Sequence, residues 1–229
     1  FHDVSSLPIG TLLEYRAVVR KYDRRYAADG AWAVTGKPAP AGGGAGNDPG
    51  TQPAAVSVPG THNSEMGCTG DPNAGDWQPA CDLDQLQLDP ASQIWQGTWD
   101  IPAGQWSYKA AINKAWDENY GAGGVAAGEN IAYEHAGGSI SFYYDHATHW
   151  VTSTAQGPIL TIPGSFQSEI GGCGDWQPQC MRPWLQDLDG DGTYTFVTKL
   201  IPAGSYEGKV AEGLSWAVNW GVYGVPDGP

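Results

Sequence analysis

The sequence predicts an all-β protein made of immunoglobulin-like β-sandwich modules in tandem, and three observations predict it. First, its 229 residues include 33 Gly, 17 Pro, 11 Trp and 11 Tyr but only 4 Phe and 2 Met. Turn formers combined with aromatics that keep a polar edge suit short strands, tight turns and surfaces made for contact. Second, the chain repeats itself. Val58-Pro-Gly-Thr-His-Asn-Ser-Glu65-Met-Gly67 returns as Ile162-Pro-Gly-Ser-Phe-Gln-Ser-Glu169-Ile-Gly171, and Gly75-Asp-Trp-Gln-Pro79 returns as Gly174-Asp-Trp-Gln-Pro178. Ile101-Pro-Ala-Gly104, Lys109, Trp116 and Asn119 then recur 100 positions later as Ile201-Pro-Ala-Gly204, Lys209, Trp216 and Asn219. A repeat of that length is one whole folding unit rather than a solenoid turn. Third, the apolar runs Gln93–Asp100, Gln105–Ile112 and Asp191–Leu200 are short and bounded by Gly, Pro, Asn or Asp. No segment holds a 3.6-residue period for three turns, so about seven short strands per roughly 100 residues is the expected content of each sandwich.

Taken in order, residues 1–38 open with Leu7–Val19 and Ala31–Thr35, which resemble the last two strands of a fibronectin type III domain with Tyr15 as its corner tyrosine. The chain starts with Phe1, and this segment reads as a partial domain cut from a longer precursor. Residues 39–54 are mostly Gly, Pro and Ala without apolar periodicity, the composition of a flexible linker. Residues 55–152 form the first module, in which Ser139–Tyr144 alternates like a strand and Asp145-His-Ala-Thr-His149 reads as the turn after it. Residues 156–229 form the second, which reaches Pro229 before the counterpart of that strand and is expected to be incomplete at its C-terminal side.

Charge narrows the partners. With 25 acidic and 11 basic residues the formal net charge is −14, a field that repels nucleic acid and anionic membrane surfaces. An uncharged partner such as a sugar meets no such penalty. No stretch approaches the ~20 apolar residues needed to span a bilayer. The cysteines fall as Cys68 with Cys81 and Cys173 with Cys180, one close pair per module. Zinc is the rival reading, but neither pair has the C-x-x-C spacing or an adjacent His, so disulfides are expected, each contributing about 2–3 kcal/mol. They imply an oxidising, extracellular compartment and a secreted protein.

Sugar rings carry C–H groups on their faces and hydroxyls at their rims, so sugar binders stack them on open indole or phenol rings and add a few polar donors. Trp95, Trp99 and Trp106 lie in strand-like runs and are assigned mainly to the core. Trp77 and Trp176, in Gly-Asp-Trp-Gln-Pro, and Trp116 and Trp216, at the head of Trp-Asp-Glu-Asn-Tyr-Gly and Trp-Ala-Val-Asn-Trp-Gly, sit in loops or at strand ends and are the candidate ligand contacts.

The run Pro102-Ala-Gly-Gln-Trp-Ser-Tyr-Lys109, then Trp116-Asp-Glu-Asn-Tyr-Gly121, Glu129-Asn-Ile131 and Tyr143-Tyr-Asp-His-Ala-Thr-His149, resembles the accessory sandwich modules of bacterial pullulanases and α-amylases. More distantly, the same spacing is similar to the glycogen-binding module of the AMP-activated kinase β subunit. That resemblance implies α-glucan binding by Trp77, Lys109, Trp116 and Asn130 in the first module and by Trp176, Lys209 and Trp216 in the second. It further implies a catalytic domain elsewhere in the same parent chain, with starch, glycogen, pullulan or maltooligosaccharides as partners. In the second module Gly208 replaces Tyr108, and the counterpart of Asn130 lies beyond Pro229, which weakens the second site.

Three further patterns are weighed against plainer readings. Asp187, Asp189 and Asp191 resemble the start of a calcium loop, but Thr198 stands at the twelfth place, so a solvated turn competes with a Ca site. His146 and His149 lack a third ligand and read as a surface turn. Glu65 and Glu169, or Asp117 and Glu118, are a poor glycosidase pair because a small sandwich rarely offers the cleft that such chemistry needs. The two glutamates are instead expected to tie down the cysteine loop. No catalytic residue is assigned, and the function expected is non-catalytic α-glucan binding, with a purely structural spacer as the alternative.

Overall fold

A computed structural model describes residues 50–69 and 75–229 in full and the backbone of 15–22 and 25–28. Most of the fibronectin-like segment, the side chain of Tyr15 and residues 39–49 of the linker lie outside the described residues. Among those described, the protein is all-β, its other regular elements being three short 3-10 turns.

The chain divides into two compact units. In chain order the strands begin with β1 (Tyr15–Tyr22) and β2 (Arg25–Ala28). The first module holds β3 (Val56–Ser57), β4 (Gln87–Asp89), β5 (Ile94–Ile101), β6 (Gly104–Tyr108), β7 (Ala110–Ile112), β8 (Ala115–Tyr120), β9 (Ile131–His135), β10 (Gly138–Asp145) and β11 (Val151–Ser153). The second holds β12 (Leu160–Thr161), β13 (Trp184–Leu185), β14 (Thr193–Thr198), β15 (Val210–Glu212) and β16 (Val218–Trp220).

In the first module one sheet runs β11-β10-β5-β4, a second β3-β7-β8, and β6 pairs with β9. All pairings are antiparallel, as short connections dictate. The predicted run Gln105–Ile112 is broken in two because the Lys109 N–H leaves the ladder and donates to Pro59 O at 3.1 Å. Between the sheets Val58, Ile101, Tyr108, Ile140, Phe142 and Tyr144 are buried. Trp95 joins them, with Trp99 and Trp106 packed half-buried against the cluster. The ring of Trp99 lies over Gly97, where an added Cβ would stand 2.3 Å from its edge.

The second module repeats the β3-β7-β8 sheet as β12-β15-β16, with β13 added beside β12. Its β14 holds the place of β5: Gln186 bridges Thr195 as Gln87 pairs with Gln96. Phe196 then falls where Gly97 lies and Thr198 where Trp99 lies, one large ring being supplied by a different rung of the strand. Residues 204–208, the counterpart of β6, form only a bridge between Gly208 and Gly164. On its other side β14 pairs with β1, which pairs in turn with β2.

Candidate functional site

The site grows from the three residues that leave β3 and β12. Gly60 O accepts the Trp77 N–H at 3.0 Å, one residue after Pro59 O accepts Lys109. In the second module Gly164 O accepts Trp176 N–H at 3.2 Å and Pro163 O accepts Lys209 N–H at 2.9 Å. Only glycine fits at the crossing, since a Cβ on Gly60 would stand 2.2 Å from Ser107 O and one on Gly164 2.3 Å from Glu207 O. Both first tryptophans take left-handed backbone conformations, with φ of 60° at Trp77 and 58° at Trp176. A bulky residue adopts that region at a cost on the order of 1–3 kcal/mol, and such strain concentrates where a side chain must be aimed.

Side chains on either side hold the strained turn. Asn63 Oδ1 accepts from the N–H groups of Gly60 at 2.9 Å and Gln78 at 3.3 Å, and Gln167 Oε1 does the same for Gly164 and Gln177. The Asp of the Gly-Asp-Trp-Gln-Pro motif closes the loop from outside: Asp76 accepts from Ser64 N–H and Oγ–H, and Asp175 accepts from Ser168 N–H at 2.8 Å. The bond drawn by Glu65 is to its neighbour Ser64, so the expectation that the glutamates tie this loop is corrected in favour of the aspartates, whose carboxylates reach across it.

The second tryptophan of each pair comes from β8 or the approach to β16. Asn119 Nδ2 donates to Trp116 O at 2.9 Å and Asn219 Nδ2 to Trp216 O at 3.0 Å, fixing equivalent turns. The ring centroids of Trp77 and Trp116 lie 6.3 Å apart with planes tilted 43°, and those of Trp176 and Trp216 lie 6.5 Å apart, tilted 37°. Trp116, Trp176 and Trp216 are 39%, 38% and 40% exposed. Trp77 is half-buried. Each pair therefore offers apolar ring faces to solvent, and Lys109 and Lys209, both half-buried, are tied by their backbone N–H groups to the residue before the glycine that accepts the first tryptophan. Asn130 is exposed at the entrance to β9, and the preceding Glu129 O accepts Ala122 N–H, which joins that segment to the turn after β8.

Tyr108, whose replacement by Gly208 was expected to weaken the second site, is fully buried. It packs against Phe142 and Tyr133, so its loss touches the core and not the ring pair. Phe166 lies 3.3 Å from where a Gly208 Cβ would stand. Its counterpart in the first module is His62, buried with Nδ1 3.0 Å from Tyr133 Oη. Loss of hydration lowers the pKa of His62 to about 4. Behind Asn63 lies Asp84, which takes the Asn63 Nδ2 proton donor at 3.0 Å and whose pKa burial raises to about 7.

Both cysteine pairs are joined, Cys68 to Cys81 and Cys173 to Cys180, with Cα separations of 5.8 and 6.3 Å. The carboxylates of Asp187, Asp189 and Asp191 offer oxygens within 4.8 Å of one another. Each also accepts a backbone N–H of its own loop, Gly192 N–H donating to Asp187, Asp191 N–H to Asp189 and Thr193 N–H to Asp191, the last two being the bonds of Asx turns. No cofactor is established by this group. His146 and His149 both direct Nδ1 to Tyr144 Oη at 3.0 Å, and His149 stacks on Tyr120 at 3.8 Å, so the pair braces the turn after β10.

Residues 55–151 and 159–227 each match the family model described as the pullulanase X25 domain. The chain belongs to that family. Both X25 modules carry the tryptophan pair, the lysine and the disulfide in equivalent places. The chain is 30% identical over 188 residues to an amylopullulanase of Thermoanaerobacter thermohydrosulfuricus, a match covering 78% of this chain and 12% of that protein. It is 36% identical over 135 residues to an amylopullulanase of Thermoanaerobacterium thermosulfurigenes, covering 56% of this chain and 7% of that one. A solved pullulanase from Bacillus acidopullulyticus matches at 17% identity and a TM-score of 0.39, over 90% of this chain and 20% of that one. The X25 modules thus span a small fraction of the curated relatives they match, which are amylopullulanases.

Proposed function

We propose that the two X25 modules bind α-glucan without cleaving it, each by stacking glucose rings on its tryptophan pair, Trp77 with Trp116 and Trp176 with Trp216. The observation that carries this reading is that the same tilted, solvent-facing pair recurs in both modules although their interiors differ. In this reading Lys109 and Lys209 donate to ring hydroxyls, and Asn130 adds a second polar group in the first module. Each shallow site is weak alone, and two on one chain raise avidity for a polymer that repeats its epitope. The parent is a secreted enzyme whose catalytic domain is held near starch, glycogen or pullulan, in keeping with the amylopullulanase relatives and the two disulfides.

Native electrophoresis in gels containing amylopectin tests this. Wild type is expected to be retarded, Trp116→Ala and Trp216→Ala each to lose part of the retardation, and the double variant to run as in plain gel. A spacer role predicts equal migration of all four.

A further inference from the structure

The two disulfides are alike in what they join but not in what else holds their loops. In both modules the bridge spans the first tryptophan of the ring pair. Gly75 and Gly174 open equivalent runs, in which Cys81 N–H donates to Gln78 O at 3.0 Å and Cys180 N–H to Gln177 O at 3.1 Å. The first module carries residues 69–74 as an insertion between its first cysteine and that glycine, and Gly75 N–H brings the two ends together by donating to Cys68 O at 2.6 Å. Cys68 N–H also donates to Asn63 O at 3.0 Å, so hydrogen bonds hold Cys68 on both sides beside its disulfide. Gly172-Cys173-Gly174 has neither bond. Among the described residues no hydrogen bond reaches this tripeptide, and the disulfide to Cys180 is its tie to the module. We infer that the Cys173–Cys180 disulfide is the positioning element of Trp176, so that the ring pair of the second module, and not that of the first, depends on the bond staying oxidised. The functional consequence rests on the reading of that pair as a glucan site.

Trp176 lies three residues from Cys173 and four from Cys180, in a left-handed conformation that its surroundings must impose. On the Cys180 side they are firm, since Pro178 and Cys180 are buried and Pro178 O accepts the Thr161 hydroxyl at 2.8 Å. On the other side Gly174, Asp175 and Trp176 are exposed, and Gly171 and Gly172 stand at φ of 77° and 86°. Chain so rich in glycine carries little conformational preference of its own. The Asp175–Ser168 bond there joins two exposed residues, where water competes for both partners. Opening the disulfide therefore frees the exposed half of the loop, and Trp176 relaxes out of the left-handed region, taking its ring away from Trp216. Access also separates the two bridges. Cys68 and Cys81 are 2% and 3% exposed, whereas Cys173 is half-buried. An attacking thiolate must reach a sulfur, so a dithiol should open the second bridge first in the folded protein. The dithiol supplies two electrons and two protons, leaves Cys173 and Cys180 as thiols, and closes to its own cyclic disulfide.

The test uses the intact chain with dithiothreitol and, independently of access, the double variant Cys173→Ser, Cys180→Ser. Alkylation and peptide mapping after brief treatment should find label at Cys173 and Cys180 while Cys68–Cys81 stays closed. Equal labelling of all four cysteines would overturn the claim that the second bridge alone is open to reduction. Hydrogen exchange then reads positioning without any sugar. The N–H groups of Trp176 and Gln177, which donate to Gly164 O and Gln167 Oε1, should exchange about tenfold faster or more in the reduced protein and in the double variant. Lys209 N–H in the same module and Trp77 N–H in the first should be unchanged. Unaltered exchange at Trp176, or an equal rise at Lys209 as a general loss of stability would give, would overturn the inference. Retardation by amylopectin reads the consequence. In Trp116→Ala, which leaves the second site, reduction should abolish retardation and reoxidation restore it, whereas Trp216→Ala, which leaves the first, should migrate alike in both states. Retardation of Trp116→Ala that survives reduction would show that the bond does not govern the site. If neither oxidised variant is retarded, the glucan reading falls by itself, and exchange at Trp176 still decides whether the bond positions the ring.

Discussion

The two X25 modules hold their tryptophan pairs within 0.2 Å in centroid separation and 6° in tilt, the differences between 6.3 and 6.5 Å and between 43° and 37°. Their interiors are otherwise dissimilar. The first module has His62, Tyr108 and the Asn63–Asp84 bond, whereas the second has Phe166, Gly208, Gln167 and Pro183 in the corresponding positions. The lesson is that the geometry of the pair is set by backbone: a glycine that admits a crossing strand, a left-handed tryptophan and an aspartate across the loop. Core chemistry is free to change provided it fills the space. What it changes is the response to pH.

Asp84 and His62 pull in opposite directions. Asp84 has a folded pKa of about 7 against an ordinary 3.8, so its protonated form adds stability that is complete below 3.8 and lost as pH rises through 7. His62 has a folded pKa of about 4 against 6.5, so its neutral form adds stability that is complete above 6.5 and lost as pH falls through 4. Between pH 4 and 6.5 the two nearly cancel. The largest effect is therefore expected in His62→Phe, which gives the first module the residue of the second and leaves Asp84 unopposed. Its unfolding free energy, read by urea denaturation, should climb on acidification from pH 7.5 to 4, by about 4 kcal/mol. Asp84→Asn should show the reverse, losing about 3 kcal/mol over pH 6.5 to 4. The second module lacks both groups and should show neither contribution, leaving only that of Asp187, whose pKa burial raises and whose protonated form adds stability that is lost as pH rises.

Gly60→Ala and Gly164→Ala test the backbone half of the comparison. Each forces a methyl against a carbonyl oxygen that cannot move, and a loss of about 2–3 kcal/mol is expected in the affected module alone, read by urea unfolding. The smallest effect is expected from Asp76→Ala and Asp175→Ala. Removing an exposed carboxylate that orders the loop should cost about 1 kcal/mol, but should weaken retardation by amylopectin in the module that carries it. Equal retardation with and without the aspartates would show that they do not aim the tryptophans.

Much of this was legible in the sequence because the signals are local or repeated. The disulfides follow from close cysteine pairs in each copy, and Trp77, Trp116, Trp176 and Trp216 from their recurrence in turn-rich motifs. The sandwich follows from short alternating runs, of which Ser139–Tyr144 became the core of β10. What was not legible depends on contacts across distance. Tyr108 could be sorted into core or site only by seeing Phe142 and Tyr133 around it. His62 reads as an ordinary loop histidine until Tyr133, 71 residues away, comes to its Nδ1. Asp76 offered a signal that went unused: the Asp recurs before each tryptophan, and an Asp before a strained turn residue is well suited to capping backbone N–H groups. The partner of β14 could not be read at all, because period-two alternation in Tyr15–Val19 announces a strand with two faces but says nothing of which edge it joins.

The most direct test is calorimetric titration of the intact chain with maltoheptaose. Two sites per chain are predicted, falling to one in Trp116→Ala or Trp216→Ala and to none in the double variant, with both modules still folded by near-ultraviolet circular dichroism. Binding that survives the double variant, or no heat in the wild type at millimolar ligand, would contradict the account.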